Sequence, residues 1–233
     1  IATAHLAVLP PLRHHTVIPN ALDLAEYSHA GSGAAQRAEL GVPAEAMLLV
    51  MAGRISPWKG QHLFVEALAR LRAAGYPVHG ALVGLAEEAD GPGYAATVRA
   101  RAEALGLGAV LHITGFRGDM PQMMAAADVV VHCSVKPEPF GRVIIEGMAA
   151  ARPTIASALG GALEIITPGV DGLLTPAGDV EALVLALQGL LDDPQERARL
   201  GAAARHTVAE RYQVEAHVQA VQAFYRQALA DRT

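Results

Sequence analysis

From Met47 onward, short aliphatic runs alternate with longer stretches in which apolar positions recur every three or four residues. Short apolar runs between turn residues read as buried strands, and the longer period reads as helices packed on them. The pattern predicts strands at Met47–Ala52, Val78–Val83, Val110–Thr114, Asp128–His132 and Pro153–Ser157, with a short sixth at Gly172–Thr175. Between them it predicts helices at Gln61–Ala74, Gly93–Leu105, Asp119–Ala126 and Gly141–Ala150. Three more follow at Val180–Leu191, Pro194–Arg211 and Val214–Leu229. In the first helix Leu63, Ala67, Leu68 and Leu71 share a face, and Gly75 and Pro77 end it. Asp193-Pro194 suits a helix start, with proline in the first helical position. Strand–helix alternation of this kind predicts an α/β fold, a Rossmann-like doubly wound parallel sheet of about six strands with C-terminal helices. Residues 1–46, rich in Pro, Gly and polar positions, read as an irregular connector leading into a domain over 47–212, with a last helical segment at 213–233.

Composition narrows the classes. The chain has 233 residues, 52% of them hydrophobic, enough to fill the core of one large α/β domain and contrary to disorder. Its 18 Lys and Arg against 23 Asp and Glu give a net charge of −5, scattered and without a basic stripe, so no nucleic acid partner is expected. Cys133 is the single cysteine, which excludes an intramolecular disulfide and reads as a buried thiol in a reducing compartment. No apolar run reaches the ~18 residues that span a bilayer. The chain begins at Ile1 without a signal-peptide pattern, which reads as a cut inside a longer, cytoplasmic protein. The ten histidines are scattered, only His14 and His15 are adjacent, and no HExxH occurs, so no metal site is expected.

An open parallel sheet places its ligand outside the carboxyl ends of its strands. The loops to examine are therefore 53–60, 84–92, 115–119, 133–140 and 157–163. In the first, Gly53 allows a tight exit from the strand, and Arg54 and Lys59 stand five apart before a helix. Two cations beside a helix start can seat a diphosphate, Arg as a planar fork and Lys as a point charge; two solvated surface charges fit the same spacing. The loop has neither the GxxxxGK[ST] nor the GxGxxG pattern. In 133–140, Glu138 can accept hydrogen bonds from sugar hydroxyls, or is a polar loop residue before Pro139. Gly141 lets a ligand approach the backbone at the start of the next helix. Glu146, on the helix face of Arg142, can take both hydroxyls of a ribose, or simply pairs with Arg142 one turn away. Gly160-Gly161 suits close passage of a phosphate or a tight turn, and the 115–119 loop is a candidate for holding a base through its backbone.

Together the GRxxxxKG stretch with Arg54 and Lys59, the E-x7-E run from Glu138 to Glu146, and the GGxxE stretch from Gly160 to Glu164 resemble the C-terminal domain of family-4 retaining glycosyltransferases of the GT-B fold. Val17-Ile18-Pro19-Asn20-Ala21-Leu22-Asp23 is similar to that family's entry into its second domain, with Ala21 in place of a glycine. The likeness runs from about residue 17 to 229. It implies that Arg54 and Lys59, beside Gly53, neutralise the diphosphate of a nucleoside-diphosphate sugar, that Glu146 binds the ribose and that Glu138 contacts the donor sugar. It places the backbone of Phe140, Gly141 and Arg142 nearby and Arg117 at the base, through its main chain. On this likeness Glu138, Arg54 and Lys59 are the catalytic set. The likeness also implies retention of anomeric configuration, no metal or other cofactor (in keeping with the lack of a DxD motif), and a partner N-terminal domain that presents the acceptor. The helix at 213–233 would cross back to that domain, and the full protein could meet a membrane. Trp58 reads as an exposed loop aromatic, and His132 and Cys133 as packing variation. Two other readings stay open: a nucleotide-sugar epimerase of GT-B architecture, and a non-catalytic nucleotide-sugar-binding module.

Overall fold

The computed structural model describes residues 16–86 and 93–230. The His14-His15 pair, the start of the connector, positions 87–92 of the second loop and 231–233 lie outside the described residues. Six strands form one sheet: β1 (Met47–Ala52), β2 (Val78–Val83), β3 (Leu111–Gly115), β4 (Val129–His132), β5 (Thr154–Ser157) and β6 (Leu173–Thr175). Every pairing is parallel, and the order is β3-β2-β1-β4-β5-β6. This is the doubly wound, Rossmann-like arrangement that the alternation predicts. Connections run one way from β1 and the other way from β4, so a crevice opens above the carboxyl ends where the order reverses.

Helices cover both faces. They are α1 (Leu24–Ser28), α2 (Ala34–Glu39), α3 (Gln61–Ala73), α4 (Gly93–Ala104), α5 (Met120–Ala126), α6 (Arg142–Ala149), α7 (Ala162–Ile165), α8 (Val180–Asp192), α9 (Pro194–Arg211) and α10 (Val214–Ala230). Side chains alternate across a strand, and β1 shows it. Leu48, Val50 and Ala52 join a core with Met123 of α5 and Ile144, Ile145 and Met148 of α6. Leu49 and Met51 join the opposite core with Phe64, Leu68 and Leu71 of α3 and Leu187 and Leu190 of α8. A strand buried on both faces explains why β1 reads as an unbroken apolar run.

The connector is not irregular throughout. It folds into α1, capped by the Asp23 carboxylate accepting from the Ala25 amide, and α2. Arg37 of α2 donates to Asp128 at 2.8 Å and to the Ala126 carbonyl at 3.0 Å, pinning α2 beneath β4. Leu22, Tyr27, Val42 and Ala46 are buried in the main core. Helices of five and six residues carry too few turns to show a period, so tertiary contacts fix them. At the other end, α10 has no buried residue. It is held at its start by the Val214 amide donating to the Leu22 carbonyl and by His217 Nδ1, 2.7 Å from the Pro19 carbonyl. No helix among the described residues is long and apolar enough to cross a membrane.

One feature of the sheet sets an acid response. His79 on β2 and His112 on β3 stack with ring centroids 5.4 Å apart, and His79 Nδ1 lies 3.1 Å from His112 Nε2. Burial lowers both from the ordinary histidine value, and for His79 the neighbouring ring, Arg72 and Arg37 add to the effect. The folded state thus favours neutral rings, while the unfolded chain takes up protons near pH 6.5. Stability is fully present above that value and falls as pH drops below it. Melts at pH 7.5 and 5.5 should show a lower Tm in acid, by about 2–4 °C for each kcal/mol lost. His112→Gln should flatten the difference, and an unchanged difference would remove the pair as its cause.

Candidate functional site

The loop after β1 leaves through Gly53, whose φ of 140° suits glycine. Its amide donates to the Val83 carbonyl at 2.8 Å, and the Ile55 amide to the Leu85 carbonyl at 2.8 Å, so the loops after β1 and β2 run side by side. They touch where Gly84 has no side chain: a Cβ there would stand 2.0 Å from the Gly53 carbonyl oxygen. Buried Gln61 braces the loop from the start of α3, donating through Nε2 to the Arg54 carbonyl at 2.8 Å. Above this floor opens a cleft of about 440 Å³, bordered by Gly53 and Arg54 after β1, Phe116 and Arg117 after β3, and Val143 and Glu146 of α6.

The second half of the same loop reaches across to β4. Pro57–Lys59 form a single 3₁₀ turn ending at Gly60, with φ 82°. A Cβ on Gly60 would lie 2.0 Å from the Cys133 carbonyl oxygen, and the Val135 amide donates to the Trp58 carbonyl at 2.8 Å. This contact brings Lys59 to Glu138. Three donors meet at Glu138 Oε1: Lys59 Nζ at 2.6 Å, His132 Nε2 at 2.7 Å and Ser134 Oγ at 2.5 Å. Lys59 Nζ also lies 4.3 Å from the centre of the Trp58 ring, a cation–π contact. The Lys59 stem passes within 4 Å of where a Gly53 Cβ would stand, which joins this cluster to the edge of the cleft.

Burial alone pushes the Glu138 carboxyl up, but hydrogen bonds from His132, Lys59 and Ser134, with the His132 charge interaction, hold it down at about 2. It therefore stays ionised at neutral pH. Glu146, also buried, is pushed the other way. Desolvation raises it, opposed by Arg142, whose Nε donates to Oε1 at 2.9 Å. The helical pair read from the sequence thus exists, and the same carboxylate borders the cleft. Tyr27 of α1 lies in this neighbourhood; its hydroxyl is raised by burial and then by the Glu146 charge.

The α6 helix begins at Gly141, with φ 101°. Its first turn includes Val143 at the cleft wall, so the positive end of its dipole opens there. Phe140 turns its ring away, edge-on to Tyr212 at 5.7 Å, and presents only backbone to the loop. Arg142 is exposed beyond its bond to Glu146. The paired glycines after β5 have a packing role: Gly161 donates to the Glu138 carbonyl at 2.9 Å, and a Cβ on it would lie 1.9 Å from the Phe140 carbonyl oxygen. The Arg117 guanidinium donates four hydrogen bonds, to Glu39 of α2 and to Asp119, at 2.6–2.8 Å. It holds Asp119 at about 2, and Phe116 and Arg117 border the cleft.

Gly53, Arg54, Arg117 and Glu146 thus border one cleft; Lys59 and Glu138 join at its rim, and Gly141 seats the helix between them. Sequence reasoning missed several neighbours. Trp58 is half-buried and carries Lys59 rather than being a plain exposed aromatic. His132 is not packing variation, since it grips Glu138; its place as the last residue of a strand, at the ligand end of the sheet, was the available signal. Its Nδ1 is buried without a hydrogen-bond partner, an arrangement that costs about 1–3 kcal/mol and demands a reason. Cys133 is a buried thiol as read, its ionisation pushed up to about 12 by burial. Phe116, 73% exposed, offers a bare ring at the cleft mouth. Among the described residues no group of three or more His, Cys, Asp or Glu is placed to hold a metal ion.

Comparison with known proteins places the chain among relatives. A family model described as glycosyl transferases group 1 matches residues 33–207. The chain is 34% identical, over 93% of its length and 52% of the relative's, to D-inositol 3-phosphate glycosyltransferase of Kineococcus radiotolerans. It is 32% identical, over 85% of its length and 54% of the relative's, to the lipopolysaccharide core biosynthesis glycosyltransferase LpsE of Rhizobium meliloti. Among solved structures it is similar to HepE of Anabaena in complex with UDP and glucose, with a TM-score of 0.88 and 34% identity over 96% of this chain and 60% of that one. The chain spans about half the length of the curated relatives it matches.

Proposed function

The chain belongs to the glycosyl transferases group 1 family, and from that premise we propose that it is the donor-binding half of a GT-B glycosyltransferase that moves a sugar from a nucleoside diphosphate to an acceptor with retention of configuration. The observation that carries this reading is convergence. Arg54 and Glu146 face one cleft at the carboxyl ends of β1 to β3, and Lys59, paired with Glu138, runs its stem beside Gly53 of that cleft. A diphosphate seated over Gly53 meets the Arg54 guanidinium, the Lys59 ammonium and the N-terminal end of α6. Those positive groups stabilise the charge that develops on the leaving diphosphate as the glycosidic bond breaks. Glu146 accepts from the ribose hydroxyls, the backbone of 115–117 meets the base, and Glu138 accepts from the donor sugar.

These residues bind, orient and neutralise charge; the reading needs no metal or other cofactor. The acceptor is presented by a partner N-terminal domain, with α10 crossing back to it, and the whole enzyme works in the cytoplasm. One relative, HepE of Anabaena, has been solved in complex with UDP and glucose and with UDP-glucose, which supports UDP-glucose as the first donor to try.

Glu146→Ala tests the ribose contact. Losing hydrogen bonds to two hydroxyls should weaken UDP about tenfold by calorimetric titration, some 1.4 kcal/mol. Uridine monophosphate should lose affinity alongside it, since it keeps the ribose. Equal affinities for variant and parent would remove Glu146 from the site.

A further inference from the structure

His132 has no part in the roles given above, yet it is the most constrained polar residue near them. It ends β4, is 6% exposed, and sends Nε2 to within 2.7 Å of Glu138 Oε1. Because a carboxylate oxygen only accepts, that nitrogen carries the hydrogen. The other ring nitrogen then meets no partner among the described residues. The ring has accepted an unpartnered nitrogen in order to donate to Glu138.

The division of the Glu138 oxygens is uneven. Oε1 receives Lys59, His132 and Ser134; Oε2 receives no donor from the described residues. One oxygen offers about two lone-pair sites, so three donors compete for it and one is replaceable. His132 and Ser134 are buried on short side chains. Lys59 reaches Oε1 on a flexible four-carbon stem that runs beside Gly53 at the cleft edge. It is the one donor that can turn to another anion without disturbing the backbone.

We infer that His132 is a positioning residue for sugar recognition: its Nε2–H holds Glu138 Oε1 in place when Lys59 turns to the donor diphosphate, so that Oε2 stays aimed at a hydroxyl of the sugar. The inference rests on the donor-site reading above. Ser134 supports the same oxygen, and His132 touches neither phosphate nor base. Its loss is therefore felt by the sugar alone.

The test is calorimetric titration of the chain and its variants with UDP and, separately, with UDP-glucose. The parent should bind UDP-glucose more tightly than UDP, and the ratio of the two dissociation constants reports the sugar contact. His132→Leu should leave UDP within about twofold and reduce the ratio about three- to tenfold. His132→Gln, whose amide nitrogen reaches the Nε2 position, should keep the ratio. Should the leucine variant not fold, His132→Asn carries the comparison: it is polar but falls short of Oε1, and it must lose what glutamine keeps. A leucine variant with an unchanged ratio, or one that weakens UDP and UDP-glucose equally, overturns the positioning role, as does a parent that binds UDP with no gain from the glucose. A parent that binds neither ligand overturns the donor-site reading itself.

Discussion

Lys59→Ala should weaken UDP by roughly ten- to a hundredfold, the loss of one charge-assisted contact of about 1.5–3 kcal/mol. The ammonium is set on the Trp58 face and against Glu138, with its side chain 13% exposed. A cation held this far from bulk water interacts with a phosphate more strongly than a surface lysine does. Its bond to Glu138 in the ligand-free chain does not cancel the effect, because His132 and Ser134 remain on the same oxygen when Lys59 turns away. Lys59→Arg should recover only part of the affinity, since a planar guanidinium fork does not replace a compact ammonium point charge. Arg70→Ala, which removes an exposed arginine paired with Glu181, gives the baseline. Isothermal titration decides it, and a Lys59→Ala dissociation constant within twofold of that baseline would take Lys59 out of the phosphate site.

Gly60→Ala should destabilise the fold by more than about 3 kcal/mol and lower Tm by about 10 °C. Two effects add. The φ of 82° lies in the left-handed region, which costs a residue with a side chain roughly 1–2 kcal/mol. The new methyl would also stand 2.0 Å from the Cys133 carbonyl oxygen, a backbone atom that moves only if β4 moves. Gly75→Ala separates the two effects, because its φ of 89° is equally left-handed but nothing lies within 4 Å. It should cost only the conformational part, about 1–2 kcal/mol. Gly189→Ala, inside α8 with open space around it, should be stabilising by about 0.5–1 kcal/mol. If Gly60→Ala and Gly75→Ala melt together, the carbonyl contact is not what holds the two loops.

The sheet was legible because its strands are apolar on both faces and its helices long enough to repeat. All six strands fall within two residues of where the pattern predicts them. The short helices α1 and α2 were not legible, since five or six residues held by Arg37 and by buried Tyr27 leave no period to read. Arg54 and Lys59 could be named because charged residues next to glycine after a strand are conspicuous, and Glu138 and Glu146 because their E-x7-E spacing resembles a known family's. Their partnerships could not be. Nothing in the order Trp58-Lys59 places that ring beneath that ammonium, and nothing in His132 announces that its ring meets a carboxylate six positions on. Both depend on Gly60 resting against Cys133, a contact between residues 73 apart in the chain.

The loops after β1, β2, β4 and β5 are joined at Gly60, Gly84 and Gly161, where carbonyl oxygens rest in the space a side chain would fill. Phe116, by contrast, stands at the mouth with most of its ring in water. Tolerance to change is therefore split by depth. Replacing any of the three glycines displaces backbone, whereas Phe116 can be exchanged for a smaller, flatter or charged residue with little effect on the frame. The rim can therefore change shape and charge while the floor of the cleft keeps its backbone.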